Sequence, residues 1–172
     1  METALAVEPS SPILNANKGY LLYIARRYEK AQAQLRKALE MDPAFPATHY
    51  RLGLVLASQG AHAEAIRHLQ EAQRLAGDSP YPLGALGHIY AQTGLAEQAR
   101  EILHHLVERS RSQFVSSALM AEVCAGLRDY ESALAWLGKA VQERTAAAFT
   151  FDVDPRFDEL RLQPGFEPSL KC

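Results

Sequence analysis

Apolar residues recur along this chain every three or four positions, the period of an amphipathic helix, in stretches of about 13 residues parted by breaks such as Gly60 and Gly94. The pattern predicts helices over 13–25, 28–41, 47–59, 62–75, 81–93, 96–109, 115–127 and 130–143, paired into antiparallel hairpins. The hairpins repeat. Gly19, Gly53, Gly87 and Ala121 are spaced 34 residues apart. Ala31, Ala65, Ala99 and Ala133 keep the same step, as do Leu35, Leu69, Leu103 and Leu137, and Leu22, Leu56, Tyr90 and Cys124. Four copies run without an insertion or deletion. An interior Gly costs a helix about 1 kcal/mol, so a small residue at one place in every copy points to close helix crossing. Leu52, Leu56 and Leu69 would fill the space beside it.

Leu83-x-x-Leu86-Gly87-x-x-Tyr90, followed by Ala99-x-x-x-Leu103, resembles the tetratricopeptide repeat, period included. Pro43 closes the first copy where that family usually has proline, and Gly77, Arg111 and Thr145 depart from it in the others. The fold class expected is all-α: a right-handed superhelical solenoid of four 34-residue helix-turn-helix repeats at 12–45, 46–79, 80–113 and 114–147. The resemblance also implies that first helices line a concave groove and second helices the convex side.

Both ends break the pattern. Ala4-Leu5-Ala6-Val7-Glu8-Pro9 parallels Ala38-Leu39-Glu40-Met41-Asp42-Pro43, so residues 1–11 read as the tail of a truncated preceding repeat. Residues 148–172 read as a C-terminal capping segment. Asp154 is placed to cap a short helix with Pro155 in its first turn, and Phe157 and Leu160, then Phe166 and Leu170, give an apolar side to lie on the last hairpin. The layout from Asn15-Ala16-Asn17-x-Gly19 to Asp154-Pro155-Arg156-Phe157-x-x-Leu160-Arg161 resembles the C-terminal repeat region of large bacterial signalling proteins. In these it follows a winged-helix, serine/threonine kinase or nucleotide cyclase domain. The resemblance implies a sensing or docking segment of a larger regulatory protein.

Composition narrows the partners. With 48% hydrophobic and 22% charged residues, the chain has the means to bury a core. Its net charge of -2 makes neither nucleic acid nor an anionic membrane the expected partner. The start, Met1-Glu2-Thr3, lacks a secretory layout and no long apolar run occurs, so a cytoplasmic protein is expected. Cys124 and Cys172 are too few for a disulfide framework.

The binding residues expected on the non-core faces of the first helices are Asn17, Tyr20 and Tyr23, then Tyr50, Arg51 and Leu54, then Tyr81, His88 and Gln92, then Glu122. Tyrosines offer rigid area with a hydroxyl at the rim, and Arg51 a planar donor fork, a combination suited to an extended peptide or a partner helix. The bland reading has the tyrosines only packing between helices and Arg51 paired with a carboxylate. Ala16 and Tyr20 stand where the family's carboxylate clamp has lysine and asparagine, which argues against a terminal-carboxylate ligand.

No catalytic residue, cofactor or metal is expected. The histidines, His49, His62, His68, His88, His104 and His105, include no pair four apart on one helix, and solvated surface is their expected place. Asp152, Asp154, Asp158 and Glu159 are read as capping and as pairing with Arg156 or Arg161. Cys124 falls in a core column and is expected buried and inert. Trp136 is expected to pack beneath the tail. A non-catalytic protein-interaction module follows, with self-assembly through the exposed N-terminal end as the alternative.

Overall fold

The computed structural model describes residues 11–144 and 150–166, and every regular element among them is helical. The helices are α1 (Pro12–Ile24), α2 (Tyr28–Met41), α3 (Pro46–Ser58), α4 (His62–Ala76), α5 (Tyr81–Gln92), α6 (Ala96–Ser110), α7 (Ser117–Gly126) and α8 (Tyr130–Gln142). A 3-10 turn (Pro155–Phe157) and the short α9 (Asp158–Arg161) follow. Pro12 and Pro46 open α1 and α3, where a missing N–H is harmless. α7 starts two residues later than the pattern predicts because the Ser116 side chain accepts from Ala118 N and sets the cap there. Residues 1–10, Thr145, Leu170 and Cys172, on which some expectations rest, lie outside the described residues.

One turn recurs at the period of the sequence. Arg26, Gly60, Gly94 and Arg128 all have positive φ, at 58°, 77°, 84° and 60°. After each, a backbone N–H reaches back five residues: Arg27 to Leu22, Ala61 to Leu56, Leu95 to Tyr90 and Asp129 to Cys124, at 2.8–3.0 Å. Together with the bond from each positive-φ residue to the carbonyl three before it, this is the Schellman ending. Each hairpin thus turns through the same hydrogen bonds, with glycine in two copies and arginine in two.

The chain divides into two compact units between Pro82 and Leu83. In the first, α1 packs on α2 and α3 on α4, and α3 also meets α1 and α2. Ala31, Leu35 and Ala38 on α2 and Ala65, Leu69 and Ala72 on α4, residue for residue one period apart, have no exposed surface. A Cβ on Gly19 would stand 2.5 Å from Leu35 Cγ, and one on Gly53 2.6 Å from Leu69 Cγ. Close crossing is therefore the reason for the glycine column.

In the second unit Ala99 and Leu106 of α6 pack with Val115, Leu119, Met120 and Val123. A neighbouring cluster gathers Ala133, Leu137 and Ala140 of α8 with Phe151, Phe157, Leu160 and Phe166 from beyond the last hairpin. Phe151 and Phe157 meet edge to face, with centroids 5.0 Å apart. Trp136 packs against both clusters, and Lys139 Nζ sits 4.2 Å above its ring. Cys124 is buried, and burial pushes its thiol up to about 12, which leaves it without a thiolate at neutral pH.

Candidate functional site

In the first unit the candidate side chains come from α1 and α3. Tyr20 and Tyr23 are one helical turn apart and stack, with ring centroids 5.9 Å apart and planes at 22°. Arg51 of α3 lays its guanidinium over the Tyr20 ring, Cζ to centroid 5.5 Å. Asn17, Tyr20, Tyr50 and Arg51 are half-buried and Tyr81 is exposed. Two expectations need correction. Tyr23 and Leu54 are buried, at 1% and 2% exposure, so neither lies on an open face. Tyr23 is enclosed between Tyr20 and Tyr28.

Arg51 carries the unusual electrostatics of this unit. Its Nη1 is shut off from solvent and meets no hydrogen-bond acceptor among the described residues. Desolvation lowers the pKa of the guanidinium, partly offset by Tyr20 and Tyr50. The reading in which Arg51 pairs with a carboxylate has no support among the described residues, where its neighbours are aromatic. A desolvated cation whose donors are incompletely used gains from any incoming carboxylate or carbonyl oxygen.

The second unit holds a buried polar cluster. His88 and Glu122, expected on the groove face, are 6% and 2% exposed, which corrects both; Gln92 is exposed. The two residues are one period apart, and the His88 ring reaches the next first helix, Nδ1 donating to Glu122 O at 2.9 Å. A Cβ on Gly126 would stand 2.7 Å from His88 O, so the small residue permits this approach. In the second unit the positions of His88 and Glu122 thus form a seam between first helices rather than a groove lining. Desolvation pushes His88 down to about 4 and Glu122 up, the latter opposed by Arg156.

Arg156 closes the cluster from the tail. Its Nη1 is 2.7 Å from Glu122 Oε1 and its Nη2 2.6 Å from Asp154 Oδ2. Asp154 Oδ1 also accepts from Arg156 N at 3.0 Å, the capping role expected of it. Arg161 Nη1 donates to Phe151 O and Asp154 O, and the guanidinium pairs with Asp158. The bond between Arg156 and Glu122, 34 residues apart, was not legible in the sequence; the only hint was a basic residue directly after an Asp-Pro cap. No helix among the described residues is long and apolar enough to cross a membrane.

Two family profiles, each described as tetratricopeptide repeat, match residues 16–80 and 56–123. Among curated proteins, Superkiller complex protein 3 of Mus musculus is 27% identical over 154 residues, 86% of this chain and 10% of that protein. The chain therefore spans about a tenth of that relative's length. Among solved structures, YrrB, described as a TPR protein with an unusual peptide-binding site, aligns with TM-score 0.57 at 18% identity, covering 98% of this chain and 95% of its own. PilF of Pseudomonas aeruginosa aligns with TM-score 0.59 at 21% identity, covering 97% and 84%. At these identities the likeness is one of fold.

Proposed function

On the premise that residues 16–123 are tetratricopeptide repeats, we propose that this chain is a non-catalytic protein-interaction module whose first-helix face binds an extended peptide or a partner helix. The repeats support a protein or peptide as the partner. The observation that carries the finer reading is Arg51, a cation over the Tyr20 ring with a desolvated nitrogen that no described acceptor meets. Tyr50 lies beside it, Asn17 is half-buried one turn before Tyr20 on α1, and Tyr81 is exposed at the start of α5. The bound segment supplies a side-chain carboxylate or a backbone carbonyl to the accessible part of the Arg51 guanidinium and apolar area to the tyrosines. The layout resembling bacterial regulators supports reading the module as the docking part of a larger cytoplasmic signalling protein.

The test is a panning experiment. Random extended peptides displayed on phage are selected on the chain, and the enriched sequences are titrated against wild type, Tyr50→Ala and Arg51→Ala. A loss of about tenfold or more in affinity is expected for each variant, the usual effect of removing a central aromatic or arginine anchor. Unchanged affinity in both moves the site away from this face.

Self-assembly through the N-terminal end is a second reading, favoured by the exposure of Ile13 and Leu21 on α1, 53% and 50%. Sedimentation over a concentration series separates the two: a monomer at every concentration removes it.

A further inference from the structure

Residues 13, 17 and 21 of α1 correspond, three periods on, to residues 115, 119 and 123 of α7. On α7 these are Val115, Leu119 and Val123, all buried in one cluster with Ala99 and Leu106 of α6. Leu119 and Val123 also reach α5 across its glycines. A Cβ on Gly84 would stand 3.0 Å from Leu119 Cδ2, and one on Gly87 2.7 Å from Val123 Cγ2. A stripe of every fourth residue is thus the surface by which α7 stacks on the hairpin before it. On α1 the same stripe is Ile13, Asn17 and Leu21, with Ile13 and Leu21 exposed and Asn17 half-buried.

Two properties of the chain select the occupant of this stripe. The first is that head-to-tail stacking finds its receiving surface filled. Ala118 and Ala121 of α7 stand one period after Gly84 and Gly87, and they pack in a cluster with Phe151, Phe157, Leu160 and Phe166 of the tail. The second is the symmetry of the stripe itself. Reversed about Asn17 it keeps its character, apolar, amide, apolar, over eight residues or about 12 Å. Ridges of every fourth residue on two helices pack together with their axes crossing at about 50°, and a two-fold axis at Asn17 brings each Ile13 to the partner's Leu21. An amide holds both donors and an acceptor, so the two Asn17 side chains satisfy one another there, whereas a surface of glycine and isoleucine like that of α5 and α6 leaves the amide unpaired. Lys18 is the one charged residue of α1, so repulsion between two copies is small.

Resting on the self-assembly reading above, we propose that two copies of this chain pair α1 against α1, about a two-fold axis at Asn17. Such an interface is the same patch on both copies, so association stops at two and does not grow into a filament. One helix pair buries little surface, so the dimer forms at high concentration and a dilute chain keeps α1 open to a peptide.

The test uses the full chain with Cys172→Ser, which removes an unrelated thiol. Sedimentation over a concentration series is expected to show monomer and dimer and nothing larger. Leu21→Asp puts a charge on the stripe and is expected to weaken the dimer at least about tenfold, while circular dichroism shows that the helices remain. In the same background Asn17→Cys is expected to form an interchain disulfide under mild oxidation, and Lys37→Cys, exposed on α2, is not. Only thiols at the axis come within the Cα separation of about 4.4–6.8 Å that a disulfide spans. A monomer at every concentration overturns the pairing together with the self-assembly reading. Self-association that leaves Asn17→Cys without a crosslink, tolerates Leu21→Asp or grows beyond two copies overturns the two-fold pairing alone.

Discussion

Single positions in the repeat are constrained in opposite senses. At Gly53 an added Cβ gains about 1 kcal/mol of helix propensity, yet it would stand 2.6 Å from Leu69 Cγ and 3.2 Å from the Ala65 carbonyl oxygen. Leu69 is fully enclosed and has nowhere to retreat. Overpacking of this kind costs about 1–3 kcal/mol, so Gly53→Ala is expected to lower the melting temperature in a thermal scan followed by circular dichroism. At Arg128 the problem is the backbone: a φ of 60° strains a residue that carries a Cβ, where Gly60 and Gly94 make the same turn without it. Relief of about 1 kcal/mol makes Arg128→Gly stabilising, by chemical denaturation, despite the added freedom of the unfolded chain. His88 gives the residue scale its pH dependence. Its pKa is near 4 in the folded chain against 6.5 unfolded, so the unfolded state binds more protons between those values. Stability from this group is complete above about pH 6.5 and falls as pH drops toward 4, by about 2 kcal/mol at pH 5. Glu122, shifted upward, acts in the opposite sense, losing stability as pH rises through its folded pKa. Stability curves at pH 7 and pH 5 are expected to converge in His88→Gln.

At the level of elements, the tail is held to α7 by a buried ion pair as much as by its aromatic rings. Arg156 is the partner of both Glu122 and Asp154. Removing it takes the counter-charge from the enclosed Glu122 carboxylate and the guanidinium contacts from Asp154, a loss of about 3–5 kcal/mol in comparable cases. Arg156→Ala is thus expected to destabilise strongly in urea, and adding Glu122→Gln to recover part of the loss, because the enclosed charge is gone. Equal stability of the single and double variants would contradict the pairing. Helix limits were legible in the sequence because apolar period and punctuation agree: 28–41 is Tyr28–Met41, and 62–75 is His62–Ala76. Burial of His88, Glu122 and Leu54 was not legible. Helical period tells which side of one helix is apolar, but in the second unit the other side of α5 is met by α7, and that neighbour is not visible in the period of α5 alone. A polar residue in that seam looks like a surface residue until its partner, the Glu122 carbonyl or the Arg156 guanidinium, is known. The contact between His49 and His68 was hidden for a related reason, since the two rings come from different helices.

At the scale of the whole molecule, four like-numbered turns and two like-numbered glycine contacts tie the sequence period to the fold. Under the function proposed above, shape is the basis of recognition, which would fall where Tyr20, Tyr50 and Arg51 gather in the first unit. The most direct measurement is amide hydrogen exchange of the chain with and without a peptide enriched by panning. Added protection is predicted around Asn17–Tyr20 on α1 and Tyr50–Arg51 on α3, with α2 and α4 unchanged. Protection confined to α2 and α4 would contradict the account.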